Sequence, residues 1–234
     1  MNLAIIPARG GSKRIPRKNI SPFLGKPIIA YSIETALRSK LFDRVIVSTD
    51  DQEIADVASN FGADIPFLRP ATLADTLTGT NSVVKHAIES LAAGGDSIAC
   101  ACCIYATAPF LQVRYLSEGL ERLLQSNKMF AFSVTTFPFP VRRAIRIASN
   151  GDIEPMFPAD IMRRSQDLEE AYHDAGQFYW GKADAFLNEV ATFSPASIPV
   201  ILPRHLVQDI DTQEDWQRAE LMYQALGVDH SGET

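Results

Sequence analysis

The sequence predicts an α/β fold built on a mostly parallel sheet, and three observations predict it. Short, fully apolar runs recur along the chain, and stretches with apolar residues at helical spacing separate them. The third is size: 234 residues with 46% apolar and 21% charged content suit one ordinary globular core. The first run, Leu3 to Ile6, ends in Pro7-Ala8-Arg9-Gly10-Gly11 and reads as a buried strand emptying into a loop. Ile28, Ile29, Ile33, Ala36 and Leu37 then predict a helix, and Arg44 to Ser48 a second buried strand. Asp50 or Asp51 can cap the next helix, striped by Ile54, Val57, Ala58 and Phe61. A longer helix over 80–93 presents Val83, Val84, Ala87, Ile88 and Leu91 on one face, followed by the strand Ile98 to Ile104 and a helix over 113–125. Strands alternating with helices are the signature of a parallel sheet covered on both faces.

After the strand Ala131 to Thr135 the alternation breaks at Phe137-Pro138-Phe139-Pro140. The stretch that runs on to residue 174 mixes apolar side chains (Ile145, Ile147, Met156, Phe157) with Arg, Asp and Glu, and reads either as an arm that packs on another subunit or as a long surface loop. The core resumes at Gln177-Phe178-Tyr179-Trp180, with a helix near 183–189 and a strand from Ile198 to Leu202. In the last helix, Thr212-Gln213-Glu214-Asp215 resembles a capping box, and Trp216, Ala219, Tyr223 and Leu226 supply the apolar face. The expected organisation is one domain over 1–234 with an arm inserted at 137–174.

No apolar run reaches the roughly 20 residues of a membrane helix, and the N-terminal run is too short for a signal-peptide core. A cytoplasmic protein with no membrane partner is expected. Cys100, Cys102 and Cys103 share one apolar segment without zinc-ligand spacing and are expected to be buried thiols. The net charge of −6 argues against a general nucleic-acid binder, but the charge is uneven. Residues 1–33 hold six bases (Arg9, Lys13, Arg14, Arg17, Lys18, Lys26) and no acid, leaving 16 bases against 28 acids in the remainder. An anionic ligand near the N-terminus is the implication.

The loop Pro7 to Asn19 follows the first strand, where open α/β sheets bind ligands. Gly10 and Gly11, followed by Ser12, let backbone N–H groups approach a phosphate, while Arg9, Lys13 and Lys18 offer cationic donors. A triphosphate fits that chemistry. The loop lacks Gly-x-Gly-x-x-Gly and Gly-x-x-x-x-Gly-Lys-Ser/Thr, which argues against a dinucleotide oxidoreductase and a P-loop ATPase. Near the other end, Asp209 and Asp211 lie one residue apart, so in an extended segment both carboxylates face one way and could share Mg²⁺ with substrate phosphates; the alternative is that Asp211 merely caps the last helix. Loop and carboxylates together suggest nucleotidyl transfer.

These residues also carry a family resemblance. Ile5-Ile6-Pro7-Ala8-Arg9-Gly10-Gly11-Ser12-Lys13 with Lys18-Asn19, Val47-Ser48-Thr49-Asp50, Leu68-Arg69-Pro70 and Asp209-Ile210-Asp211-Thr212 resemble the acylneuraminate cytidylyltransferase family over nearly the whole chain. The resemblance implies a Rossmann-like fold with helices on both faces, CTP as cosubstrate, Mg²⁺ as cofactor, a keto-sugar acid as acceptor, and a homodimer formed through the arm at 137–174. It also implies that Arg9, Lys13, Lys18, Asn19, Arg69 and Thr80 bind CTP, that Asp209 and Asp211 hold the metal, and that Arg9, Lys18 and Asp211 are catalytic.

In sialic-acid members the segment at 104–109 typically carries a glutamine near the sugar, where this chain has Tyr105. With Phe137-Pro138-Phe139-Pro140, Arg164 to Trp180 and Leu202-Pro203-Arg204-His205, that departure resembles the pseudaminic acid branch of the family. Tyr105, Arg164, Gln166, His173 and Gln177 are the candidates for the sugar acid. Legionaminic, N-acetylneuraminic and 3-deoxy-manno-octulosonic acids are the alternative acceptors. The rival classes are a nucleotide-sugar glycosyltransferase and a non-catalytic nucleotide sensor.

Overall fold

A computed structural model describes residues 1–74 and 79–227, so the ends of the expected 1–234 domain at 228–234 lie outside the described residues. The central sheet contains β1 (Asn2–Pro7), β4 (Arg44–Ser48), β5 (Cys100–Ile104), β6 (Phe130–Thr136), β9 (Tyr172–Lys182) and β10 (Ser197–Ile201), while β2 (Pro22–Phe23) and β3 (Lys26–Pro27) form a separate hairpin. The sheet order is β10-β6-β9-β5-β1-β4. Parallel ladders join β1 to β4, β1 to β5 and β10 to β6, whereas β9 is antiparallel to both β5 and β6. The fold is the expected mostly parallel one, with one strand reversed. Parallel neighbours need a long crossover, usually an α-helix, and the segment between β6 and β9 contains no α-helix.

Helices α1 (Ile28–Ser39), α2 (Gln52–Asn60) and α4 (Val113–Gln125) cover one face. There Ile29, Ile33, Ile54, Leu116 and Leu123 share one buried cluster with Ala4 and Ile6 of β1. Helices α3 (Thr80–Ala93) and α5 (Ala183–Leu187) cover the other, where Val84, Ile88 and Phe186 share a second buried cluster with Leu3 and Ile5. Alternate β1 residues thus feed opposite layers, which is why its sequence reads as continuously apolar. Among the described residues no helix is long and apolar enough to cross a membrane. All three cysteines are buried, and burial pushes their thiol pKa values up.

A third cluster joins the two ends of the chain. The β2–β3 turn uses Leu24 and Gly25, both at positive φ (48° and 86°), as a tight hairpin turn requires. The turn delivers Phe23 into a set of edge-to-face aromatic contacts with Tyr31, Trp216 and Tyr223, at centroid distances of 5.5, 5.7 and 5.7 Å. Trp216 and Tyr223 belong to α6 (Gln213–Ala225), so this cluster docks the C-terminal helix beside the N-terminal loop.

Between β6 and β9 the chain leaves the sheet. Its only strands are β7 (Ile145–Ile147) and β8 (Ile153–Pro155), paired with each other alone.

Candidate active site

Chain order creates the site. From β1 the chain crosses to β4 on one side and later to β5 on the other, so a crevice opens beyond the carboxyl ends of β1 and β5, the switch point where α/β sheets bind ligands. A cavity of about 470 Å³ lies there, lined by the loop after β1 (Arg9, Ser12, Lys13, Lys18) and by Tyr105 and Thr107 after β5. Arg69, Thr80, Asp209 and Asp211 complete its wall.

Each part of that wall has a local cause. The Asn19 side chain, almost fully buried, donates to the Arg9 carbonyl oxygen at 3.0 Å and holds the loop closed. Gly10 donates its N–H to Asp50 Oδ1 at 3.0 Å, and a Cβ at Gly10 would lie 2.6 Å from Asp51 Oδ2, so a side chain here displaces the Asp51 carboxylate. Gly11 faces open space. Asp51 caps α2 by accepting from Ile54 N–H at 3.1 Å and grips Arg17 at 2.5 Å; that guanidinium, first among the causes, holds its pKa below the usual carboxylate range. Arg17 is thereby tied to α2, and Lys26 to Glu34 at 2.6 Å. Of the six N-terminal bases, four line the cavity: Arg9, Lys13, Arg14 and Lys18.

Arg69 is buried, 3.7 Å from Asp50, and its Nε has no hydrogen-bond partner. Burial lowers its pKa, Asp50 opposes that, and nearby Arg9 adds to it. A buried guanidinium with an unused donor at a cavity wall suits an anion. Thr80 opens the 14-residue α3 after Gly79, which makes no side-chain cap, so the helix N-terminus also leaves N–H donors beside the cavity.

Beside the loop, Asp209 and Asp211 of the Asp209-Ile210-Asp211 segment belong to the same wall. Ile210 is buried under α6 while both aspartates line the cavity, as the spacing predicts. The α6 cap is Thr212, which accepts from Asp215 N–H at 3.2 Å while Asp215 accepts from Thr212 N–H at 2.8 Å. The Asp211 carboxylate is therefore not the cap. It meets Arg14 at 2.7 Å and Lys18 at 3.3 Å, and Lys18 also donates to the Ile210 carbonyl at 2.5 Å. Desolvation and then Asp211 raise the Asp209 pKa, against the pull of Lys18. Among the described residues no cluster of three or more His, Cys, Asp or Glu could hold a metal by itself. The two aspartates form a half-set that phosphate oxygens and water would complete.

The sequence from residue 3 to residue 221 matches the cytidylyltransferase family. The chain is a member of it. Relatives include pseudaminic acid cytidylyltransferase of Campylobacter jejuni, 47% identical over 95% of this chain and 96% of that protein, and the N-acylneuraminate cytidylyltransferase of Escherichia coli, 31% identical over 93% and 51%. Among solved structures, CMP:2-keto-3-deoxy-manno-octonic acid synthetase complexed with CTP superposes with a TM-score of 0.70 at 17% identity, covering 96% of this chain and 99% of that one. This cytidylyltransferase is thus an enzyme that uses CTP, on a Rossmann-like α/β fold.

Not every expected site residue meets the cavity of the cytidylyltransferase. Of the five sugar candidates, only Tyr105 lines it. Arg164 and Gln166 are exposed in the segment between β6 and β9, where Arg164 pairs with Asp167 at 2.8 Å. His173 packs on Phe137 at 4.7 Å, and its Nδ1 lies 2.8 Å from the Asp174 carbonyl. Gln177 is buried and donates to the Leu206 carbonyl at 2.5 Å, a structural tie. Sequence reasoning missed Arg14 as an Asp211 partner and Asp50 as the Gly10 anchor. Charge in the loop signalled the first; the second requires knowing that β4 lies beside β1.

Proposed function

We propose that this cytidylyltransferase transfers CMP from CTP to the anomeric hydroxyl of a nine-carbon keto-sugar acid, pseudaminic acid foremost, with release of pyrophosphate. One observation carries the reading: cations after β1 and carboxylates before α6 line one cavity, with Asp211 2.7 Å from Arg14 and 3.3 Å from Lys18. The name of the 47% identical Campylobacter relative supports the choice of sugar acid.

The anomeric oxygen attacks the α-phosphorus, the new O–P bond forms as the bond to the β-phosphate oxygen breaks, and the hydroxyl proton passes to a carboxylate or water in the cavity. Arg9, Lys13 and Lys18 neutralise the triphosphate, and buried Arg69 supplies a fixed donor. Ser12 and the α3 N-terminus at Thr80 orient it, whereas Gly10 and Gly11, expected to bind the phosphates, do not line the cavity and the Gly10 N–H is taken by Asp50. Asp209 and Asp211 suit Mg²⁺ shared with phosphate oxygens, which when bound would polarise the α-phosphate.

The same reading makes the chain one nucleotidyltransferase domain with an arm, acting as a cytoplasmic homodimer. Support for the dimer is physical: an isolated two-stranded hairpin is marginal in water, and β7–β8 exposes Ile145, Ile147 and Ile153. The test is pyrophosphate release with CTP, Mg²⁺ and separately pseudaminic, legionaminic, N-acetylneuraminic and 3-deoxy-manno-octulosonic acids. Highest kcat/KM with pseudaminic acid is expected; release with none of them refutes the reading.

A further inference from the structure

Asp50 does not line the cavity, yet one of its oxygens meets two separate parts of the chain beside it. Register puts it there. Pro7 of β1 lies opposite Ser48 of β4, and Ala8 N–H donates to the Ser48 carbonyl at 3.0 Å, so two residues further along each chain Gly10 and Asp50 come together. Asp50 Oδ1 accepts from Gly10 N–H at 3.0 Å, and the same oxygen lies 3.7 Å from the Arg69 guanidinium. The turn around Asp50 is fixed on both sides. Buried Thr49 accepts from Arg69 N–H through its carbonyl at 2.7 Å and from Asp51 N–H through its Oγ1 at 3.1 Å. The Arg69 side chain is 3% exposed, and among the described residues Asp50 is the acid that pairs with it.

A carboxylate beside a triphosphate site is unfavourable if charge alone counts, because it repels the phosphates. What it holds explains its place. Arg9 and Arg69 line the same cavity with charges of one sign, and a buried guanidinium left without its partner is costly. We propose that Asp50 is a positioning residue for CTP, joining the loop after β1 to Arg69 through one carboxylate oxygen so that both present their donors to the triphosphate together. This inference rests on the reading that Arg69 binds CTP. Its consequence is a sign: removing the Asp50 charge weakens CTP binding, where repulsion between like charges acting alone would make the same change tighten it.

The experiment is calorimetric titration of CTP with Mg²⁺ into the wild-type enzyme, Asp50→Asn, Arg69→Ala and the Asp50→Asn/Arg69→Ala double variant, together with KM for the keto-sugar acid that supports pyrophosphate release. Asparagine keeps an oxygen for the Gly10 N–H and drops the charge that faces Arg69. Asp50→Asn is expected to weaken CTP binding about three- to tenfold, with the sugar KM within about twofold of wild type. In the Arg69→Ala background the same change no longer weakens CTP binding, as for residues acting through one contact. Unchanged or tighter CTP binding by Asp50→Asn, a weakening of equal size without Arg69, or a sugar KM that rises in parallel would overturn the inference. If Asp50→Asn does not fold, Asp50→Glu, which keeps the charge and moves the oxygen, decides on the same criteria. Arg69→Ala that binds CTP as wild type does overturns the underlying reading and this inference with it, whereas Arg69→Ala that weakens CTP beside an Asp50→Asn that does not overturns this inference alone.

Discussion

The cavity and the excursion between β6 and β9 are both rich in arginine and carboxylate, yet they are put together differently. In the cavity the partners are remote in sequence: Lys18 reaches Asp211 across 193 positions, and Gly10 reaches Asp50 across 40. In the excursion the pairs are local, Arg163 with Asp160, Arg164 with Asp167 and Arg146 with Glu154, while Met162, Phe139 and Ile147 stand 91%, 79% and 76% exposed. The cavity is held by the sheet and the Phe23 cluster. It does not cover the apolar face of the excursion, and a second copy is the partner we propose.

The strongest blow to the cavity is Asp211→Ala, which should lower kcat by about 10²- to 10³-fold while the melting temperature stays close to wild type, since Thr212 and not Asp211 caps α6. A collapse of stability instead would mean the carboxylate is structural. For the excursion, Ile147→Asp with Met162→Asp should convert dimer to monomer in sedimentation velocity and leave CTP affinity intact; wild-type enzyme that sediments as a monomer at micromolar concentration contradicts the contrast between the two regions. Gly10→Ala forces a Cβ to 2.6 Å from Asp51 Oδ2 and is expected to cut kcat/KM for CTP about tenfold, whereas Gly11→Ala meets no atom within 4 Å and should not change stability.

The smallest effect is at the α2 cap. Asp51→Ala should cost about 1 kcal/mol in urea unfolding at neutral pH. Because Arg17 holds the Asp51 pKa below its ordinary value, its contribution is complete above about pH 4 and lost as the pH falls through the lowered pKa. The difference between wild type and variant should therefore shrink in acid; a difference that grows there would contradict the assignment.

Much of this was legible in the residues. Helical spacing located α3 and α4, and the Thr212 to Asp215 pattern located the α6 cap, because those signals are local. The loop bases and Asp209 with Asp211 announced themselves by charge and by alternation around Ile210. What stayed hidden depends on who lies beside whom. The reversed direction of β9, the grip of Asp51 on Arg17 and a bulge in β9 that joins Asp174 to Tyr179 follow from sheet order and register, which no window of sequence contains. The hydrogen bond from Gln177 to the Leu206 carbonyl was hidden for the same reason, since the two residues are neighbours only in space.

The central claim is that both ends of the chain grip one nucleotide. Calorimetric titration of CTP with and without Mg²⁺, on wild-type enzyme and on the Asp209→Ala/Asp211→Ala double variant, tests it directly. The account predicts that Mg²⁺ tightens CTP binding to wild type, and that the double variant still binds CTP through Arg9, Lys13 and Arg69 but no longer responds to the ion. An equal response to Mg²⁺ in both proteins would contradict it.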